Sequence, residues 1–171
     1  MPMQNKVANC SDLVYIFIIV LETPHVVVGA AIALKVKNPL LAIPLAFASH
    51  FVLERVPHWN PHLNTELKTY GSVTRSTTYL VVLDALLALA FGSTLALKQL
   101  PDQLSTLTTL SCCFASVLPD VIEAPYYFLK QRSELIERWI QFQKSIQADT
   151  SVFWGLATQV ITVLAALWWI R

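Results

Sequence analysis

Charge is scarce in this chain. Of 171 residues only 13% are charged, against about 25% in an average soluble domain. The balance, 12 Lys+Arg against 11 Asp+Glu, leaves a net charge of +1. Disordered chains and nucleic-acid binders both depend on charge, so both classes are excluded. Glycine is scarce too: Gly29, Gly71, Gly92 and Gly155 are the four, and none belongs to a phosphate-cradling loop. Three cysteines, Cys10, Cys112 and Cys113, provide no even disulfide framework. The adjacent pair sits inside an apolar run, without the exposure of an activated thiolate. No serine stands in a nucleophile elbow, and the chain has no internal repeat or low-complexity segment.

What fills the chain is apolar residues, 55% of the total, gathered in runs. Val152 to Ile170 is nineteen residues with no formal charge, closing on Trp168-Trp169-Ile170-Arg171. An aromatic anchor followed by a cation suits a membrane interface. Thr78 to Leu97 is twenty residues interrupted only by Asp84, and Ser105 to Ile122 is eighteen interrupted only by Asp120. Pro39 to Arg55 adds seventeen, polar only at Ser49, His50, Glu54 and Arg55. Four runs near the roughly 20-residue spanning length overfill a soluble core of this size. The expected fold is all-α: a small integral membrane bundle of about five helices with one amphipathic helix on its surface.

The fifth helix of that bundle is short. Thr23-Pro24 reads as its start, threonine as N-cap and proline in the first turn. Lys35, Lys37 and then Asn38-Pro39 mark its end. About 12 residues cover about 18 Å, so this is a partial span or a re-entrant helix packed inside the bundle. Residues 1–22 form an N-terminal extension, either an interfacial helix or a continuation of the first helix. Leu13 to Leu21 is too short to span and no small-residue cleavage site follows it, which argues against a signal peptide. Residues 23–171 make the bundle. Within it, about 133–147, Leu135, Ile136, Trp139, Ile140, Gln143 and Ile146 repeat at helical spacing opposite Glu134, Glu137, Arg138 and Lys144. That helix lies either on the membrane surface or against the end of the bundle.

Alternating helix directions sort the polar residues. Let side A be the end where Pro24 lies and side B the other. His25, His50, His58 and His62 then all fall at A ends, together with Glu54, Asp120 and Glu123, while Asp84 sits about two turns inside. Of eleven acids only Asp102 lies on side B. Side A also carries eight cations against four on side B, which by the positive-inside rule faces side A to the cytoplasm. Histidines and carboxylates converging from several helices at a wet mouth suit a hydrolytic metal site, with zinc first and iron or manganese as alternatives. Plainer roles stand beside this one. His62 reads as a solvated loop residue, and Glu54 can pair with Arg55 at headgroup level. Asp84 is either functional or bonded to a Ser, Thr or Tyr, and Asp120 is either a ligand or the cap of a helix Val121–Leu129.

Four motifs resemble one family. Thr23-Pro24-His25-Val-Val-Val-Gly29, Ala48-Ser49-His50-Phe51, Pro57-His58-Trp59 and Leu118-Pro119-Asp120 are similar, in order and spacing, to the bacterial membrane-bound metal-dependent hydrolases. The His/Asp pattern of that family is itself similar to that of zinc-dependent phospholipase C. The resemblance covers residues 23–122 and departs at Glu54, where Asp is favoured, and at Asn60, where an acid is more usual. It implies metal-site candidates at His25, His50, Glu54, His58 and Asp120, with Asp84 behind them. The expected function is therefore metal-dependent hydrolysis of a membrane-associated phosphoester or lipid head group at a bacterial inner membrane. His25, His50, His58 and Asp120 would hold the metal, Glu54 would be a ligand or the base, and Asp84 would orient a ligand. Arg55 or Arg75 would neutralise a phosphate. Two alternatives remain: a non-catalytic membrane protein whose polar site binds lipid or a partner, and a transporter using Asp84. The transporter is disfavoured because the acids do not continue to side B.

Overall fold

Proline opens the first two helices of the computed structural model, which describes residues 21–171. Helix α1 runs Thr23–Val36 and α2 runs Pro39–Leu53, each with proline in its first turn. Between them Lys37 takes a left-handed conformation and Asn38 accepts a hydrogen bond from the Leu40 amide at 3.0 Å. The remaining helices are α3 (Leu63–Tyr70), α4 (Arg75–Leu97), α5 (Gln103–Phe128), α6 (Glu134–Ile146) and α7 (Val152–Trp169). The described residues form an all-helical bundle with no strand, as expected.

Helices α4, α5 and α7 are long and apolar enough to cross a membrane, which marks the chain as a membrane protein. Helix α1, fourteen residues or about 21 Å long, is too short for that. It is instead the centre of the bundle, packed against α2, α4, α5 and α7, with Val27, Ala30 and Ala31 fully buried. Gly29 permits the closest of these approaches. A Cβ there would lie 2.7 Å from both the Cys112 carbonyl oxygen and Ser116 Oγ of α5, so any side chain would push the helices apart. Helix α4 buries only a narrow stripe at Thr77, Asp84, Ala88, Gly92, Leu95 and Ala96, and turns Leu83, Leu86, Leu87 and Leu89 outward. An exposed face of leucines suits lipid, not water.

Three expectations need correcting. Asp120 caps no separate helix at Val121–Leu129, because α5 continues unbroken through Pro119 and Pro125 to Phe128. Neighbouring helices and local adjustments satisfy the backbone groups that a proline frees inside a bundle of spanning helices. Thr23 is not the N-cap of α1; Glu22 is, without a side-chain cap. The Thr23 hydroxyl instead donates to Asp84 Oδ1 at 2.9 Å. The Pro39–Arg55 run is not a fourth span: α2 stops at Leu53 after fifteen residues, leaving three helices long and apolar enough to cross among the described residues.

Helix α3 carries no sequence pattern strong enough to announce it. It closes on Gly71, whose φ of 72° favours glycine. Its Glu66 accepts from the Thr74 amide at 2.8 Å and from the Thr77 hydroxyl at 2.6 Å, tying α3 to the start of α4. Of the two placements open for the amphipathic helix α6, the structure has it against the A end of the bundle. Ile140 and Gln143 are buried while Leu135 is exposed. Trp139 Nε1 donates to the Pro119 carbonyl at 3.1 Å, and Phe51 of α2 packs edge-on to Trp139. The expectations for residues 1–20 lie outside the described residues.

Candidate metal centre

Each element delivers one or two polar groups to the space beneath α6. Helix α1 brings His25 in its first turn, α2 brings His50 in its last turn and Glu54 just beyond, and α5 brings Asp120 and Glu123. The segment after Glu54 brings His58 and is stitched to the α6–α7 connection by backbone bonds. Ala148 N donates to Glu54 O at 2.9 Å, His58 N to Ala148 O at 3.1 Å and Thr150 N to His58 O at 3.1 Å. Gly155 lets α7 meet this segment, since a Cβ there would overlap the Trp59 backbone. Gln159 Nε2 holds the Trp59 carbonyl from the same helix at 3.3 Å.

The groups so gathered are buried: His25, His50, Glu54 and His58 are all below one-tenth exposed. Ligand atoms of His25, His50 and Asp120 lie within 4.8 Å of one another. Glu54 Oε1 is 3.6 Å from His25 Nε2 and 3.6 Å from His58 Nε2, and His50 Nε2 is 3.8 Å from Asp120 Oδ1. Atoms bound at about 2.1 Å around one tetrahedral zinc lie about 3.4 Å apart. The His25 and His50 rings stack at 4.4 Å.

Hydrogen bonding tests whether these residues fit a cation. His25 Nδ1 is buried and has no hydrogen-bond partner among the described residues, and its Nε2 meets Glu54 beyond hydrogen-bond length. A buried imidazole without partners is costly and needs an explanation. His50 Nδ1 lies 3.0 Å from the Ser116 carbonyl, an arrangement that places the proton on Nδ1 and the lone pair on Nε2. Gln143 Oε1 faces that lone pair at 2.9 Å. The amide cannot turn round, because its Nε2 donates to Glu123 Oε1 at 2.7 Å and to Asp120 Oδ1 at 3.3 Å. Two acceptors face to face are stable only with a proton between them or a cation beside them. His58 differs: Nδ1 binds the Val56 carbonyl at 2.8 Å, while Nε2 meets the Asn60 and Gln147 amide nitrogens at 3.3 and 3.4 Å as well as Glu54 at 3.6 Å, so its hydrogen bonding is complete without a cation. The donor set of His25, His50 and Asp120 fits a divalent cation.

The other predicted site residues separate from this group. Asp84 is fully buried, but its oxygens accept from the Thr23 hydroxyl and the Glu22 amide. It anchors the N-terminus of α1, and His25 with it, and touches no histidine. Arg55 and Arg75 are exposed, and neither lines the cavity beside the cluster. Lys144 does. His62 is exposed at the start of α3, the solvated position expected.

Sequence reasoning missed Gln143, whose role was hidden because it fits the apolar repeat of α6 as a neutral side chain. Glu22 was also missed. Ahead of α1, its carboxyl is held well above the usual carboxylate range, first by burial and then by Asp120, Asp84 and Glu54. Compared with known proteins, the chain matches no family model, no curated protein and no solved structure.

Proposed function

We propose that this chain is an integral membrane metal-dependent hydrolase acting on a membrane-associated phosphoester or lipid head group. The observation that carries the reading is the convergence of His25, His50 and Asp120, with His25 buried and otherwise unbonded. The resemblance of the four His/Asp motifs to membrane-bound metal-dependent hydrolases supports the same chemistry. His25, His50, His58 and Asp120 would hold the cation, zinc first, with iron or manganese next. When bound, it would supply Lewis-acid polarisation of a phosphoryl oxygen and a water ionised near neutral pH.

The protein's own groups then have distinct tasks. Glu54, between His25 and His58, is a ligand or the acceptor of the water's proton. Ser116 and Val56 fix the tautomers of His50 and His58 through their carbonyls. Gln143 holds Asp120 and Glu123 in place, and α6 covers the site against bulk water. The excess of cations on side A favours a site facing the cytoplasm, and the resemblance to bacterial membrane-bound hydrolases suggests an inner membrane.

One observation favours the non-catalytic alternative, a polar site that binds lipid or a partner without turnover. Arg55 and Arg75 turn away, so Lys144 is the one Lys or Arg lining the cavity among the described residues. Protein reconstituted with zinc, iron(II) or manganese and supplied with phospholipid in mixed micelles separates the two. The hydrolase reading expects release of the head group, reduced by about 10²- to 10⁴-fold in Glu54→Gln. Bound metal with no release from any phosphoester tested would leave the binding role.

A further inference from the structure

The polar cluster is one end of a larger space. A cavity of about 480 Å³ runs from Glu54, His58 and Asp120 down between α4 and α5. Its upper end is polar. Below Asp84 its walls are apolar apart from Ser93 and Cys113: Ala85, Leu89 and Gly92 from α4, and Leu110, Phe114 and Val117 from α5. Val26 of α1 closes the back. The front is open, because Leu89 and Phe114 line the cavity and are also 65% and 57% exposed. Both helices are long and apolar enough to span a membrane, which would set that opening against the bilayer.

We infer that the cleft between α4 and α5 seats an acyl chain of one membrane phospholipid, entering sideways from the bilayer with its head group at the His/Asp/Glu cluster. This rests on the reading of that cluster as the reacting end. Three observations select this occupant. The walls have no charge below Asp84 and Asp120, so a polar or peptide ligand would lose its hydrogen bonds there. From Asp120 to Leu110 is ten residues, about 15 Å of helix, the depth of one leaflet of a roughly 30 Å hydrocarbon core. Finally, the cleft is continuous with the polar end, so a single molecule with an apolar chain and a polar head fills both. The substrate class is thereby narrowed from any membrane-associated phosphoester to a chain-bearing phospholipid presented from within its own leaflet.

Leu86 provides an internal control. It stands three residues from Leu89 on α4, is 58% exposed, and lies outside the cleft. The test places the full chain in nanodiscs of phosphatidylethanolamine and phosphatidylglycerol containing a trace of phosphatidylglycerol with a photoactivatable diazirine on its acyl chain. After illumination, peptide mass spectrometry maps the adducts. Seated lipid predicts enrichment at Leu89 and Phe114 over Leu86 on the order of tenfold, equivalent to about 1.4 kcal/mol of preference. Ala85→Trp, at an exposed wall position, is expected to abolish that enrichment while labelling of Leu86 persists. Equal labelling of Leu89 and Leu86 in the unaltered protein would overturn the inference without recourse to any variant. Metal content measured on the same samples keeps the two readings apart. Bound metal with equal labelling defeats the acyl cleft alone, and cleft labelling without metal defeats the hydrolase alone.

Discussion

At the B end of the bundle, polar side chains serve their own helix; at the A end they reach across the molecule. On side B, Asn38 caps α2 through the Leu40 amide. Asp102 caps α5 by accepting from the Ser105 amide and hydroxyl at 3.1 and 2.6 Å, bonds that hold its carboxyl below the usual range. Gln99 donates to the Leu95 carbonyl one turn back. On side A, Asp84 binds the start of α1, His50 binds Ser116 of α5 and Gln143 of α6, and Gln159 binds Trp59. Local caps satisfy helix ends and nothing more is required of them. The long-range polar contacts bury groups that are expensive to bury, and they converge on His25, whose Nδ1 has no partner among the described residues, and on His50. The two ends solve the same capping problem, and among the described residues only the A end retains unpartnered buried polar atoms once it is solved.

Substitutions at the two ends should therefore differ in kind. The largest effect is expected at Gly29, because the helix approach it allows positions the whole A end. Gly29→Ala sets a methyl against the Cys112 carbonyl and Ser116. It should cost about 3 kcal/mol and lower metal affinity as α1 moves off α5, as read by thermal unfolding and metal titration. Asp84→Ala follows. It strands the Thr23 hydroxyl and the Glu22 amide, at about 1 kcal/mol for each group, and loosens His25 with them. Gln143→Leu is smaller in stability but specific in function. It removes the group that positions Asp120 and Glu123 and should weaken metal binding about 10- to 100-fold with little change in melting. Asn38→Ala is the control at the opposite end, expected to cost about 1 kcal/mol and to leave metal binding unchanged. A metal defect in Asn38→Ala, or a pure stability defect in Gln143→Leu, would break the contrast between the ends.

The same contrast explains what was legible beforehand. The spans were readable because a lipid-facing helix is apolar on almost every side, and Val152–Ile170 announces itself by having no charge. The gathering of His25, His50 and Asp120 at one end followed from alternating helix directions alone. The caps at Asn38 and Asp102 are local and leave local signals. Gln143 left none, since a neutral residue in an apolar repeat looks like packing until the fold sets it opposite His50. Pro119 misled in the other direction. In water a proline inside a helix tends to end it, whereas in a bundle of spanning helices α5 continues through both Pro119 and Pro125. Asp84 was singled out correctly as a buried carboxylate, but its partner lay in Thr23, whose hydroxyl the local pattern had assigned to a cap.

The central claim is that the A end holds a metal. The most direct test is elemental mass spectrometry on the full chain, purified in detergent without a histidine tag, beside His25→Ala/His50→Ala. The account predicts about one equivalent or more of zinc, iron or manganese in the unaltered protein, lost in the double variant while the helical circular dichroism signal is retained. No metal in the unaltered protein, even after reconstitution with each ion in turn, would contradict it.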